Sequence, residues 1–433
     1  MSGLLVKSTA FMKDNLSIFN ELGISVPVIL GGAALTPRFV HGDCREAYQG
    51  QVVYGRDAFA DLRFMDALMD AKNRDRWDDQ KGFLDGPPDG LGIALGLKER
   101  AAAASAPEDA EPLPAGNGAH GVSAAVQPAT ASSPEAIVAS LERSAEVPAQ
   151  PALQPPFWGS RILDEHQIPL AEVAAYLDRN ALFAGQWQLQ RGANQSREAY
   201  QAMLQDKAEP VLAELLKQIS EEALLTPRVA YGYFPCGREG NSVVVFDPQG
   251  LSDSAAPSEA GAVLGRFDLP RQRGGNRYCI ADFYRDLEPR HGGELGPTDV
   301  LPLQSVTMGE RASQHAQELF RSDRYSDYLY FHGLAVQMAE ALAEWTHARI
   351  RKELGFADQE PDNLRAILAQ RYRGSRYSFG YPACPEVADS RQLLAWLDAE
   401  RIGLRMDDSD QLEPEQSTTA LVALHSKARY FSA

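Results

Sequence analysis

The stretch RVAYGYFPCGREGNSVVVFD, residues 228–247, contains two runs rich in β-branched and aromatic residues, RVAYGYF and NSVVVFD. Runs of this composition predict β-strands. No helical pattern separates the two runs, so they lack the spacing of a strand–helix–strand unit. Further strand patterns follow in AVLGRFDLP, YCIADFY, RIGLRMDD and TALVALHS. Together these patterns favour an antiparallel sheet.

Helical spacing is clear in DYLYFHGLAVQMAEALAEWTHARIRKELG, residues 327–355. Leu334, Met338, Leu342 and Trp345 fall on one stripe of this helix, as expected for a face that packs on a core. Helices grouped apart from strands that lack strand–helix–strand spacing predict an α+β domain with a mainly antiparallel sheet and flanking helices.

The amino-terminal part of the chain alternates between strand and helix patterns. SGLLVK, VPVILGGA and QVVYG are typical of strands, and STAFMKDNLSIFNELG and RDAFADLRFMDALMDAK of amphipathic helices. This alternation predicts an α/β segment with a parallel, doubly wound (Rossmann-like) sheet. About three strands are fewer than such sheets usually contain. We therefore expect a partial unit, either the back half of a nucleotide-type fold or one that pairs with another chain.

A change in composition divides the chain. Residues 99–155 are dominated by Ala, Pro, Ser, Gly and Glu and contain no Phe, Trp or Tyr. A segment with so little apolar surface to bury predicts a flexible linker. Within it, SPEAIVASLERSAE at 133–146 has the pattern of a short helix. The predicted domains are therefore residues 1–98 and 156–433.

Composition excludes several classes of partner. The formal net charge is −17, and no segment combines dense Lys/Arg with aromatics, which argues against a nucleic acid or an anionic membrane as partner. The longest apolar run, ISVPVILGGAAL at 24–35, is shorter than the roughly 20 residues that span a bilayer. No leader pattern follows Met1, so a cytoplasmic location is expected. The four cysteines form no CxxC pair, so neither a zinc site nor a disulfide framework is indicated.

The most unusual local sequence is RYRGSRYSFGYPACP, residues 371–385. Gly380 permits backbone conformations that other residues avoid, and Pro382 and Pro385 stiffen the chain around them. A stiff loop of this kind can hold backbone groups at fixed spacing around a small ligand, and Arg376 offers a planar fork suited to a carboxylate. Alone, the motif is more typical of a structural turn than of a binding site.

Several motifs occur together in a recognisable order. They are PPFWGSRIL, YFPCGREGN, NRYCIADF, RYSFGYPACP and HSKARYF. Their order and spacing closely resemble the reactivation domain of the cobalamin-dependent methionine synthases. The first 70 or so residues, with SGLLVKS, VPVILGGAALT and VVYGRDAFADL, resemble the end of the cobalamin-binding domain of the same family. The resemblance covers almost everything except the linker.

The resemblance implies a site for S-adenosylmethionine around the GYPACP motif. It places Arg376 on the ligand, within reach of its carboxylate, and Asp178 near its amino and sulfonium end. Glu340 is implied to face the same site, although its place beside the apolar helix stripe is also typical of a solvated helix residue. The implied S-adenosylmethionine site consists of Asp178, Glu340, Arg376, Gly380, Tyr381, Tyr430 and Phe431.

For cobalamin the resemblance implies only a partial site, formed by Ser2, Gly31, Gly32 and Ala58. At the position where some members of the family carry a hydroxyl residue, this chain has Val6. The histidine that ligates cobalt in the family lies in an Asp-x-His-x-x-Gly signature, and none of the eight histidines here stands in such a context. No metal ligand is therefore expected in this chain.

The activity that the resemblance implies is the reductive remethylation of cob(II)alamin. An electron from a flavodoxin-type reductase and a methyl group from S-adenosylmethionine restore methylcobalamin. Because cobalt is the nucleophile, the protein needs no general base, and no catalytic side chain is predicted. A hypothetical basic patch for the acidic reductase consists of Arg371, Arg373, Arg376 and Arg429.

The chain is expected to be a C-terminal fragment or subunit of a methionine synthase, a 5-methyltetrahydrofolate:homocysteine methyltransferase. It lacks the homocysteine, folate and cobalt-ligating modules, so we expect no overall methyl transfer to homocysteine from this chain alone. Two alternatives stay open. One is a free-standing S-adenosylmethionine-binding accessory protein that reactivates a separate corrinoid protein, and the other is a non-catalytic S-adenosylmethionine sensor.

Overall fold

The computed structural model describes residues 6–31, 35, 39–55, 58–86, 142–192, 195–290 and 293–432. The chain forms two compact units, residues 1–128 and 129–433. Among the described residues, no helix is both long enough and apolar enough to cross a membrane. Ser2, Gly32 and most of the predicted linker lie outside the described residues.

Within the described residues of the first unit, one pair of strands is parallel and another is antiparallel. Its elements are α1 (Val6–Glu21), β1 (Val28–Gly31), a π-helical turn (Val40–Cys44), β2 (Val52–Gly55), α2 (Ala58–Asn73), β3 (Trp77–Asp78) and β4 (Gly82–Phe83). Strands β1 and β2 are parallel, whereas β3 and β4 are antiparallel. Leu16 of α1 packs in a cluster with Leu30 of β1, and Phe64 of α2 packs in a second cluster with Val53 of β2.

The strand predicted at SGLLVK differs from the structure where the two can be compared. Val6 and Lys7, the last two residues of that motif, lie in α1. The helix predicted over STAFMKDNLSIFNELG thus also includes the two residues before its predicted start. The parallel β1–β2 pair agrees with the predicted strand–helix alternation, while a complete Rossmann-like sheet stays a prediction.

The second unit is a mixed α/β structure. Its strands are β5 (Gly159–Leu163), β6 (Arg228–Glu239), β7 (Ser242–Phe246), β8 (Val263–Asp268), β9 (Glu288–Pro289), β10 (Leu295–Gly296), β11 (Asp299–Thr307), β12 (Ser375–Tyr377), β13 (Arg405–Met406), β14 (Leu412–Glu413) and β15 (Ser417–Ala423). Its helices are α3 (Leu170–Ala174), α4 (Arg197–Met203), α5 (Glu209–Glu221), α6 (Glu310–Arg321), α7 (Tyr325–Glu353), α8 (Leu364–Leu368) and α9 (Asp389–Leu397). Single helical turns occur at Ala181–Gln186, Leu204–Ala208, Pro257–Glu259, Ile280–Phe283, Ala357–Gln359 and Ala399–Ile402.

A seven-stranded sheet forms the centre of this unit, in the order β12, β15, β11, β6, β7, β8, with β5 also paired to β6. Every pairing in it is antiparallel. Strand β6 is long enough to pair with β5 through its first half and with β7 through its second. The prediction of a mainly antiparallel sheet with flanking helices is confirmed.

Alternate residues of the central strands face two different cores. Tyr231 and Tyr233 of β6 belong to the core that contains Leu342 of α7. Phe234, on the same strand, belongs to the core that contains Leu393 of α9. The sheet is therefore covered by α7 on one face and by α9 on the other, which explains why its inner strands are buried on both sides.

The carboxyl end of the predicted linker, residues 142–155, is part of the second unit. Ser144 and Val147 are buried, and the backbone N–H of Ser144 donates to a carboxylate oxygen of Asp282 at 3.2 Å. His425 contacts the carbonyl oxygen of Pro148 at 2.8 Å. This differs from the prediction that a flexible linker extends to residue 155. This segment contains no aromatic residue, but its backbone and polar groups form hydrogen bonds with other parts of the second unit.

Candidate functional site

A cavity of about 250 Å³ lies between α7 and the β12–β15 edge of the sheet. Four residues of the predicted site line it: Glu340, Arg376, Tyr381 and Tyr430. Its remaining wall is formed by Ala343, Gln370, Tyr372, Tyr377, Ser378, Ala383, Cys384, Thr418 and Ala420. Two distant segments of the chain, the helix and the edge strand, are thus brought together by the sheet.

The turn formed by residues 380–384, which we call the GYPAC turn, forms one side of the cavity. The N–H of Gly380 donates to the carbonyl of Cys384 at 2.9 Å, and the N–H of Cys384 donates to that of Tyr381 at 2.9 Å. Gly380 has a φ of +99°, which explains why glycine is needed at this position. The Cys384 thiol is buried, and burial raises its pKa to about 12, so it is not a nucleophile at neutral pH. The turn presents Tyr381 at the mouth of the cavity, with half of its surface exposed.

Helix α7 supplies the opposite wall. Its apolar stripe, including Met338 and Leu342, is fully buried against the sheet. Glu340 and Glu344 lie one turn apart on the same helix, and they have different environments. Glu340 is exposed and lines the cavity, whereas Glu344 is only 7% exposed. The buried carboxylate requires positive or hydrogen-bonding partners, and it has several.

A chain of alternating charges runs beneath the cavity. Arg376 donates from Nη2 to Oε2 of Glu344 at 3.1 Å, and the Tyr372 hydroxyl donates to the same oxygen at 3.0 Å. Oε1 of Glu344 accepts from Nη1 of Arg351 at 3.4 Å. Arg351 forms a two-point ion pair with Glu360 at 2.5 and 2.8 Å. We call Glu344, Arg351, Glu360 and Arg376 the cavity cluster.

His347 lies beside this cluster. It is fully buried, its ring is edge-on to that of Tyr372 at 5.2 Å, and its Nδ1 is 4.0 Å from Oε1 of Glu344. Burial, followed by the charges of Arg351 and Arg376, lowers its pKa well below the usual value. The imidazole is therefore neutral at neutral pH and adds no positive charge next to the cavity.

Three residues of the predicted site do not line the cavity. Asp178 lies before the helical turn at Ala181–Gln186, where its Oδ1 accepts from the backbone N–H groups of Asn180 and Ala181 at 2.9 and 3.1 Å. Gly380 shapes the turn rather than the wall. Phe431 is buried in the core, with its ring 5.7 Å from that of Tyr278. Its neighbour Tyr430 lines the cavity, so the two adjacent aromatic residues have different surroundings.

The predicted cobalamin residues are placed only in part. Gly31 ends strand β1, and a Cβ atom added there would lie 3.2 Å from the carbonyl oxygen of Gly55. Ala58 is the first residue of α2. Ser2 and Gly32 fall outside the described residues. Among the residues that the structure describes, no three His, Cys, Asp or Glu side chains are grouped as metal ligands.

The hypothetical basic patch is divided by the fold. Arg373 donates to the carbonyl of Leu424 at 2.8 Å, and Arg376 belongs to the cavity cluster. Arg429 is exposed and donates to a tyrosine hydroxyl at 2.9 Å. Arg371 is exposed. Two of the four arginines are thus engaged inside the domain, so a reductase surface built on all four is not supported.

Residues 169–433 match the family described as "Vitamin B12 dependent methionine synthase, activation domain". The chain belongs to this family. It is 40% identical over 441 residues to a methionine synthase of Mycobacterium tuberculosis (strain ATCC 25618 / H37Rv) and 38% identical over 446 residues to that of Mycobacterium leprae (strain TN). Both alignments cover the whole of this chain and 34% of the relative, so the chain spans about a third of the length of these curated relatives.

The fold of the activation-domain family is also found by structural comparison. A crystal structure of the MetH reactivation domain bound to AdoHcy aligns with a TM-score of 0.53 and 22% sequence identity. The alignment covers 65% of this chain and 83% of that one. At this identity the similarity establishes a shared fold, which agrees with the antiparallel sheet and flanking helices described above.

Sequence reasoning missed the buried residues next to the cavity. Glu344 and Tyr372 are in contact with Arg376 or share its partner, yet neither was predicted. Tyr372 lies within the RYRGSRYSFGYPACP motif, four residues before Arg376. That proximity in sequence could have identified it as a neighbour of Arg376. Glu344 follows Glu340 by one helical turn, and only burial distinguishes the two.

Proposed function

We propose that this chain is the C-terminal part of a cobalamin-dependent methionine synthase and that its second unit binds S-adenosylmethionine for the reductive remethylation of cob(II)alamin. The observation that carries this proposal is the cavity lined by Glu340, Arg376, Tyr381 and Tyr430 in a member of the activation-domain family. A related fold has been crystallised with AdoHcy, which supports a ligand of the same adenosyl class.

The proposed ligand carries a carboxylate and two positive groups, an amine and a sulfonium. Arg376 presents a guanidinium to the cavity and is the proposed partner of the carboxylate. Glu340 places a carboxylate on the opposite wall, where it complements positive charge. Tyr381 and Tyr430 are half exposed at the cavity mouth and offer apolar faces to the adenosyl group. Asp178 remains a proposed contact from the sequence resemblance.

The work of this chain in that reaction is to bind, orient and shield the methyl donor. Cobalamin, when bound, supplies the cobalt that accepts the methyl group. Among the cavity side chains, the Cys384 thiol is held protonated by burial, in agreement with a role in which the wall positions the ligand and takes no proton. In this proposal Glu340, Arg376, Tyr381 and Tyr430 of the wall, together with Asp178, align the methyl donor.

The first unit is proposed to be the C-terminal portion of the cobalamin-binding domain, over residues 1–98. Gly31 fits this role because its close approach to Gly55 leaves only backbone at the carboxyl end of β1. Ser2, Gly32 and Ala58 stay proposed cobalamin contacts from the resemblance. The proposed partners are the homocysteine, folate and cobalt-ligating modules and a flavodoxin-type reductase, in the cytoplasm.

The test is calorimetric titration of the full chain with S-adenosylmethionine. We expect saturable binding, and Arg376→Ala should weaken it by about 10- to 100-fold, since a hydrogen bond to a charged group contributes about 1.5–3 kcal/mol. Asp178→Asn tests the second proposed contact. Arg371→Ala is the matched control, because Arg371 is exposed and does not line the cavity. No heat with the wild-type chain would refute the proposal.

A second measurement separates reactivation from sensing. The full chain is mixed with a separately prepared cobalamin-binding module, a flavodoxin-type reductant and S-adenosylmethionine, and the cob(II)alamin absorbance is followed. Conversion to methylcobalamin supports reactivation. Binding of S-adenosylmethionine without any spectral change would instead favour a non-catalytic sensor.

A further inference from the structure

We propose that Glu344, which does not line the cavity, is the positioning residue that orients both Arg376 and Tyr372 towards the methyl donor. The inference rests on the proposed function, because it assigns Arg376 to the carboxylate of S-adenosylmethionine. It adds a residue that the sequence motif does not contain, since Glu344 lies on α7 and the motif begins at 371.

One carboxylate oxygen holds both cavity groups. Oε2 of Glu344 accepts from Nη2 of Arg376 at 3.1 Å and from the hydroxyl of Tyr372 at 3.0 Å. A guanidinium is planar, so fixing one of its nitrogens fixes the direction of the rest of the fork. With Nη2 on Glu344, the other N–H donors of Arg376 remain for a ligand carboxylate.

The other oxygen of Glu344, Oε1, is bound by a buried arginine that does not line the cavity. Oε1 accepts from Nη1 of Arg351 at 3.4 Å, and Arg351 is fully buried. Glu360 takes two further donors of Arg351 at 2.5 and 2.8 Å, and the guanidinium lies over the ring of Tyr372 at 3.8 Å. The carboxylate is thus fixed at both oxygens, which is what a support for another side chain requires.

The order of the charges explains why a carboxylate is needed at 344. Two arginines, Arg351 and Arg376, would lie in the same low-dielectric region without a negative group between them. Like charges repel strongly in such surroundings, so Arg376 would turn away from Arg351 and leave its ligand-binding orientation. Glu344 offsets the repulsion by pairing with both arginines, and its Oε2 sets the direction of Arg376.

The test compares Glu344→Gln with a matched variant of the same helix. Glu353 also accepts from two tyrosine hydroxyls and an arginine, at 3.1, 2.8 and 2.8 Å, but it does not line the cavity or contact a residue that does. We expect Glu344→Gln to weaken S-adenosylmethionine binding by about tenfold in titrations of the full chain, and Glu353→Gln to leave it unchanged. Thermal unfolding of both variants records any general loss of structure.

A double-mutant cycle tests whether Glu344 acts through Arg376. If it does, Glu344→Gln combined with Arg376→Ala binds within about twofold of Arg376→Ala alone. A merely structural role would make the two losses multiply. Should Glu344→Gln fail to fold, Glu344→Asp keeps the charge beside Arg351 but withdraws it from Arg376, and the same weakening is expected.

The outcomes separate the two proposals. If the wild-type chain does not bind S-adenosylmethionine, the proposed function and this inference both fall. If the wild type binds and Glu344→Gln, or a folded Glu344→Asp, binds equally well, only the positioning role of Glu344 is overturned. Independent losses in the double-mutant cycle overturn it as well.

Discussion

Two clusters of Arg and acidic side chains in the second unit, each with a buried centre, have different surroundings. The cavity cluster joins Glu344, Arg351, Glu360 and Arg376, and its last member lines a cavity. A second cluster, which we call the linker cluster, lies where residues 142–155 meet the sheet unit. Its members are Arg143, Arg238, Arg271, Asp282 and Asp286.

The linker cluster is closed around a single carboxylate. Asp282 is fully buried, and its oxygens accept from Arg271 at 2.6 and 2.7 Å and pair with Arg238 at 3.2 Å. Arg143 donates to the backbone carbonyls of Asp282 and Tyr284. Here each charged side chain has at least one oppositely charged partner within the protein. The two clusters differ in that only the cavity cluster has a member that lines the cavity. We therefore expect substitutions in the linker cluster to affect mainly stability, and substitutions in the cavity cluster to affect mainly the proposed ligand binding.

The largest effect is expected from Asp282→Asn. It leaves Arg238 and Arg271 buried without their shared carboxylate, and removing one partner of a buried pair costs about 3–5 kcal/mol. Thermal unfolding of the full chain measures the loss. Asp286→Asn is the control, because Asp286 is 58% exposed and should contribute less than about 1 kcal/mol. Unchanged affinity for S-adenosylmethionine in folded Asp282→Asn protein would support the distinction between the linker cluster and the cavity cluster. A loss of stability no larger than that of Asp286→Asn would contradict it.

A smaller effect is expected from Gly380→Ala in the GYPAC turn. A side chain at a φ of +99° costs about 1–2 kcal/mol. The strain should also displace Tyr381 and weaken ligand binding. Gly250→Ala is the matched control, since Gly250 has a φ of +86° with open space around it and does not line the cavity. Equal binding losses in both variants would show that the turn has no special part in the site.

His347 makes the cavity cluster sensitive to acid. Its folded-state pKa is lowered by burial, whereas in the unfolded chain it takes up a proton near pH 6.5. The unfolded state therefore binds more protons than the folded state below that pH. The contribution of His347 to stability is fully present above pH 6.5 and is lost as the pH falls, by about 1.4 kcal/mol at pH 5.5. Urea unfolding of His347→Leu at pH 5.5 and 7.5 should show a smaller decline than the wild type. His166→Gln, at an exposed position, should behave as the wild type.

The smallest effect is expected from Glu340→Gln at the open side of the cavity. Glu340 is exposed, so its attraction for a cationic ligand is screened and should contribute less than about 1 kcal/mol. The variant should lose affinity for S-adenosylmethionine, which carries a sulfonium, more than for S-adenosylhomocysteine, which does not. Titration with both ligands measures the difference. Equal losses of affinity for the two ligands would show that Glu340 does not act on the sulfonium charge.

Much of the fold was predictable because it depends on local patterns. The strands around residues 228–247 and the apolar stripe of α7 follow from periodicity, and both are found in the sheet unit. The GYPACP motif predicted a stiff turn, since Gly and Pro restrict the backbone in known ways. The packed segment at 142–155 was not predictable from its composition. Its order depends on Asp282 and His425, which lie far away in sequence.

The site was predictable where the residues belong to the motif, and not where burial decides. Glu340 and Glu344 occupy equivalent positions on one helix, and only the approach of Arg351 and Arg376 makes the second one a buried partner. Tyr430 and Phe431 are adjacent, yet one faces the cavity and the other fills the core. Sequence patterns do not separate such pairs, because the difference arises from tertiary packing.

The alternation of charge in the cavity cluster has an evolutionary consequence. A mutation that neutralises one member leaves a neighbouring charged side chain without its oppositely charged partner in a largely buried region. Single substitutions at these four positions should therefore be selected against. Lineages that replace the acid at 344 are expected to replace the base at 351 or 376 as well. Substitutions at the four positions should therefore be correlated, with a change at one position accompanied by a compensating change at another.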